Sequence, residues 1–192
     1  MKAKALKYGL AALVLGAVVL AAAYQASYPI KLNMSTLPGH ILDFYNRGYS
    51  TELSPTVTLY GGVEIGNRAY YLMELGEDLG SVTLKRGLTG RYQIEYLRYG
   101  GGNFRDGLVE SEGKKYLLLG GRDTAARIAR ISVTIEGQTY ELENPKPRDH
   151  FLLCTEIDAR IQDNHIDRDR LRLYDEAGED ITELYDLSGG GI

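Results

Sequence analysis

Four side chains that could hold a metal ion alternate along one acidic stretch: Asp163, His165, Asp167 and Asp169. Alternate residues of an extended backbone share a side, so this spacing would aim three carboxylates and an imidazole the same way. Oxygen-rich loops of that kind bind calcium, the one cofactor this chain suggests. An EF-hand loop starting at Asp163 would need glycine where Arg168 stands and glutamate where Tyr174 stands. Arg160, Arg168, Arg170 and Arg172 also neutralise the acids locally, which fits a solvated, ion-paired face.

Hydrolytic chemistry would have to draw on His40, His150 or His165. No two of them stand at the i, i+4 spacing of a helical zinc pair, and the single cysteine, Cys154, cannot complete a mixed site. His150 has Asp149 beside it and Glu156 further along the same run, enough to sketch an acid–base dyad. The alternative is an ordinary loop histidine, and no residue is assigned a catalytic role. Cys154 lies in the apolar run 151–157 and is expected to be buried as a small hydrophobe.

Recognition is the third kind of chemistry on offer. The chain has 15 tyrosines, 3 phenylalanines and no tryptophan, a bias that suits half-buried strands and contact surfaces. The missing tryptophan argues against a sugar-stacking module. Glycines cluster at Gly61-Gly62, Gly100-Gly101-Gly102 and Gly120-Gly121, without the spacing of a phosphate loop or a dinucleotide fingerprint. The loop Tyr99-Gly-Gly-Gly-Asn-Phe104 is long and flanked by aromatics, as a binding loop would be. Tyr96, Tyr99, Asn103 and Phe104 are therefore the candidate binding residues.

These side chains must be carried on short strands. After Pro55 the chain breaks into alternating runs split by glycine, with Val57, Leu59, Val63 and Ile65 leading and Gly61-Gly62 as a bend or bulge. Tyr92, Ile94 and Tyr96 alternate with Gln93 and Glu95. The clearest unit is Ile131-Ser-Val-Thr-Ile135 followed by Glu136-Gly137-Gln138 and Thr139-Tyr-Glu-Leu142, a hairpin with one apolar face. Short runs at regular spacing, with no long helical pattern after Pro55, imply an all-β fold, an antiparallel β-sandwich or open barrel. It would occupy residues 55–187, and residues 188–192 read as a flexible tail. Residues 25–54 read as a stalk with one short helix, started near Ser35-Thr36-Leu37-Pro38 and stopped at Gly48.

The front of the chain supplies an expected address. Lys2, Lys4 and Lys7 form a short basic segment, residues 1–7, before an uncharged run over 8–24. As a helix that run spans roughly 25 Å, near the low end for a bilayer core of about 30 Å. It reads as a transmembrane anchor or a signal peptide, with the N-terminus cytoplasmic and the β domain outside the membrane, or secreted after cleavage. All 26 acidic residues fall beyond position 24, so the remainder is acidic and nucleic-acid binding is disfavoured. The expected partners are the membrane, through residues 8–24, and another envelope protein or cell-surface component.

Three stretches carry a family resemblance: Lys115-Tyr-Leu-Leu-Leu-Gly-Gly121, residues 128–135, and Leu173-Tyr-Asp-Glu-Ala-Gly-Glu-Asp-Ile-Thr182. Together they resemble uncharacterised bacterial proteins that place a small β-rich domain outside one N-terminal membrane segment. The resemblance implies an address and a fold class and brings no catalytic residue or ligand. The expected function is a membrane-anchored extracytoplasmic binding protein. A calcium- or small-ligand-binding domain and an extracytoplasmic hydrolase are the alternatives.

Overall fold

A computed structural model describes every residue except 1, 126, 146, 147 and 164, with side chains in the first helix from Leu13 onward. Two helices come first, α1 (Lys2–Ser27) and α2 (Leu37–Tyr45). The strands follow as β1 (Val57–Ile65), β2 (Arg68–Leu75), β3 (Asp78–Arg86), β4 (Tyr92–Gly100), β5 (Phe104–Ser111) and β6 (Lys114–Arg122). Then come β7 (Arg130–Ile135), β8 (Gln138–Glu143), β9 (His150–Ile157), β10 (Leu171–Tyr174) and β11 (Gly189–Gly191). Three sheets result, in the orders β1-β2-β3-β4, β11-β5-β6-β9 and β10-β7-β8. Every pairing is antiparallel except β11 with β5, so the all-β, antiparallel reading holds at that level.

Turn chemistry explains the hairpins. The β7–β8 loop is Glu136-Gly137 with both residues at positive φ (46° and 81°), the type I′ geometry whose twist matches the flanking strands. Glycine takes the second position without strain, while Glu136 is held there by its carboxylate. That carboxylate accepts from the backbone N–H groups of Gln162 and Asp163 at 2.7 and 2.9 Å.

The sheets stack because each strand is apolar on the face it buries. On β2, Ala69, Tyr71, Met73 and Leu75 point to one side, where Val82 and Leu84 of β3 and the buried Leu37 and Ile41 of α2 meet them. Tyr70 and Leu72 point the other way, toward Leu118 of β6. Close approach between these two sheets depends on Gly120, where a Cβ would sit 2.9 Å from a Leu72 methyl. The far face of β6 (Leu117, Leu119) packs with Phe104, Phe151 and the third sheet's Ile131, Val133 and Leu173. A bulge between Leu59 and Gly61 reverses the parity of β1. Val57 and Leu59 therefore face α2, Val63 and Ile65 face the second sheet, and Tyr60 is turned toward that sheet's edge.

Three expectations need correction. Among the described residues no helix is long and apolar enough to cross a membrane, which overturns the single-pass placement built on residues 8–24. Tyr24 accepts a hydrogen bond from Leu88 N at 2.7 Å and packs on Tyr28, tying the helix end to the β3–β4 turn. Residues 188–192 are not a loose tail: β11 pairs with β5 and Ile192 is buried. Cys154 is exposed, because it lies on β9, the edge strand of its sheet.

Candidate functional site

A dense polar constellation sits where β1 meets β9 at the seam between the first two sheets. β2 aims Glu74 away from α2, the β1 bulge turns Tyr60 inward, and Arg122 and His150 arrive as paired residues of β6 and β9. Glu74 accepts from the Tyr60 hydroxyl at 2.5 Å and from Arg122 Nε at 2.8 Å, and lies 3.1 Å from His150 Nε2. The imidazole is stacked on the Tyr60 ring at 3.5 Å with a 6° interplanar angle. Arg122 reaches on to Asn103 Oδ1 at 3.3 Å and to the Glu77 carbonyl.

Electrostatics set the charge states of Glu74 and Tyr60. Burial alone would raise the Glu74 pKa, but hydrogen bonds from Tyr60, Arg122 and His150 outweigh it and hold the carboxyl below its usual range. Burial, then Glu74, pushes the Tyr60 phenol up to about 12, so it stays a donor. A carboxylate with three partners has little basicity left for proton transfer. The cluster is a clamp between sheets.

A group with a depressed folded pKa stabilises above its unfolded value and loses that contribution as pH falls through the folded one. Glu74→Gln should therefore lower stability at neutral pH by about 1–2 kcal/mol, a hydrogen-bond-scale loss. Urea midpoints of variant and parent should converge below pH 4.5, the ordinary value of this carboxyl. A gap that stays constant from neutral pH down into the acid range, with no narrowing below pH 4.5, would rule out the ionised clamp.

Sequence neighbours misassigned the partner of His150. Glu156 is paired with Lys114 at 2.7 Å, and Asp149 contributes its carbonyl to Asp123 N. Glu74 lies 76 positions from His150 in the chain. One signal pointed to it: Glu74 is the lone acid in the apolar run Ala69-Tyr-Tyr-Leu-Met-Glu-Leu75.

The four candidate binding residues are dispersed. Phe104 is 1 % exposed and packs edge-on against Phe151, so it belongs to the core. Asn103 is engaged by Arg122. Tyr96 and Tyr99 leave opposite faces of β4: Tyr96 lies under the Arg98 guanidinium at 4.9 Å, while Tyr99 turns toward α2. There it meets Tyr45 edge-on at 5.5 Å, and Tyr45 meets Tyr49 at 5.1 Å. Interaction with the Tyr49 hydroxyl, then burial, pushes the Tyr99 phenol up to about 12. Tyr45, the last residue of α2, and Tyr49, just past the 3-10 turn Asn46–Gly48, were missed in the sequence. The following loop is closed by Asn46, whose amide pairs with both the N–H and the carbonyl of Leu53 at 2.9 and 2.8 Å.

The acidic stretch is organised by the protein's own cations. The buried Lys115 ammonium of β6 donates to the carbonyls of Ile161 and Asp163 at 2.8 and 3.1 Å. Asp167 accepts from Asp169 N at 3.1 Å and faces Arg170 at 3.3 Å, and Arg168 turns away to Asp106. His165 lines a separate groove beside Arg98 and Arg168. Among the described residues no group of three or more histidine, cysteine, aspartate or glutamate side chains converges as a metal site.

What the fold and these contacts define is a layered, antiparallel all-β domain with a short helix packed on its first sheet. No family model, curated protein or solved structure matches the chain.

Proposed function

We propose that this chain is a non-enzymatic binding module that engages another protein through the patch formed by Tyr45, Tyr49, Tyr99 and Leu53. The observation that supports this reading is a rigid aromatic surface open to solvent. Tyr49 and Tyr99 are 48 % and 41 % exposed although their rings pack on Tyr45, and Leu53 is 39 % exposed on the loop pinned by Asn46. Tyrosine gives large contact area for little lost side-chain freedom and dominates interface energetics. The seam cluster supports the same reading from the other side, since its carboxylate is already committed to three partners.

The test uses full-length chain carrying a photo-crosslinking residue at position 49, with position 134 on the third sheet as a control. Crosslinks to one protein should form from position 49 only. Tyr49→Ser and Tyr99→Ser should each weaken that complex by about tenfold or more, the scale of an aromatic hot spot. Unchanged affinity in the double variant would overturn the proposal.

A further inference from the structure

β11 is the odd strand of the fold: three glycines, parallel to β5, in an otherwise antiparallel body. Gly189, Gly190 and Gly191 pair with Phe104, Arg105 and Asp106. The Ser188 carbonyl accepts from Asn103 N and Phe104 N at 2.8 and 2.9 Å, and Ile192 N donates to the Asp106 carbonyl at 2.7 Å. Two arginines of the body hold the strand by its backbone. Arg98 donates to Ile192 O at 2.6 Å, and Arg168 donates to the carbonyls of Leu187 and Gly189 at 2.9 and 3.1 Å. The single side chain delivered is Ile192, which enters the pocket formed with Ile65, Tyr70 and Leu118.

The groove is selective about what it accepts. A Cβ at position 189 would lie 1.7 Å from the Phe104 carbonyl oxygen, so only glycine fits there. At 190 a Cβ would meet nothing within 4 Å, and at 191 only the Asp106 carbonyl at 3.7 Å, an ordinary contact. Position 192 requires an apolar group that fills the space above Gly107, whose own Cβ would come within 3.3 Å of Ile192 Cβ. The pattern read by the groove is glycine, any residue, any residue, aliphatic.

Its present occupant is held through backbone hydrogen bonds and one buried side chain, Ile192. Glycine regains more backbone freedom on release than any other residue, and all three strand residues are exposed. Releasing it leaves the β5 edge, with Arg98 and Arg168 still in place, as a template for strand addition. We propose that the β5 edge is a strand-docking site for protein segments of the pattern Gly-x-x-aliphatic. Residues 189–192 occupy it in cis and yield it to such a segment of a partner. This site is separate from the tyrosine patch and does not depend on it.

The experiment uses full-length chain and the probe peptide acetyl-Ser-Gly-Lys-Gly-Ile-amide, labelled on its lysine. Gly189→Val should expel the cis strand, and the variant should bind the probe at least tenfold more tightly than the parent. A probe with valine in place of its first glycine should bind neither protein. A folded Gly189→Val that binds no better than the parent, or probes that bind alike, would overturn the proposal. Hydrogen exchange on the unmodified chain tests it independently of that variant's folding. The Ile192 amide should exchange at least a hundredfold faster than the amide of Leu118 on β6; equal protection would sink the idea.

Discussion

Arg105→Met is expected to cost about 3–4 kcal/mol, the largest effect of any single polar replacement in this fold. Arg105 points from β5 into the space between the first two sheets and is 2 % exposed. Its guanidinium donates to the Leu79 carbonyl on β3, to the Gly100 carbonyl at the end of β4 at 2.6 Å, and to the Phe104 carbonyl at 2.7 Å. Among the described residues it makes no ion pair, and burial followed by the nearby Arg168 and Arg122 cations lowers its pKa. The side chain thus joins three strands through backbone oxygens that no other substitution can remove. Methionine retains most of the stem's volume, so the loss isolates the orphaned carbonyls from simple cavity formation. For a chain of this size the midpoint of thermal unfolding should fall by roughly 6–16 °C. A fall under 2 °C would show that water reaches those carbonyls and the stitch is dispensable.

A comparable loss, about 3 kcal/mol, is expected from Asp123→Ala. Asp123 is fully buried and accepts from Arg127 N at 3.1 Å, Ile128 N at 2.9 Å and the Tyr185 hydroxyl at 2.6 Å. It shapes the crossing from β6 to β7 and fastens it to the chain near the end of the last 3-10 turn, Thr182–Leu184. Burial, then Asp123, raises the Tyr185 phenol well above its ordinary pKa, so it stays a donor at neutral pH. Tyr185→Phe removes one of the three donors and should cost about 1 kcal/mol. In the double variant the tyrosine's contribution should largely vanish, since both changes break the same bond. Strict additivity in denaturant unfolding would show that the hydroxyl does not serve the carboxylate.

The legible parts of this fold are those set by neighbours in sequence. The β7–β8 hairpin was readable because Glu136-Gly137 demands a tight turn and Ile131, Val133 and Leu142 alternate beside it. The β1 bulge was readable from Gly61-Gly62, and the short helix from Leu37-Pro38, although its packing on β1 and β4 came only with the structure. The binding nominees fared worse, because an aromatic beside a glycine run looks the same whether it serves as a loop tip or as core. Phe104 turned out to be core, and Tyr99 found its companions, Tyr45 and Tyr49, some fifty positions upstream.

Periodicity, turn residues and charge balance suffice to say that this chain makes short antiparallel strands and an acidic body. They act over a few residues, and a strand's alternation is visible wherever it occurs. Which face meets which sheet, that Glu74 clamps His150, that Lys115 donates to carbonyls of the acidic loop and that residues 189–192 lie in a groove were decided only by tertiary contact. Such pairings join positions far apart in the chain through hydrogen bonds and excluded volume, and a linear order of residues does not encode those distances.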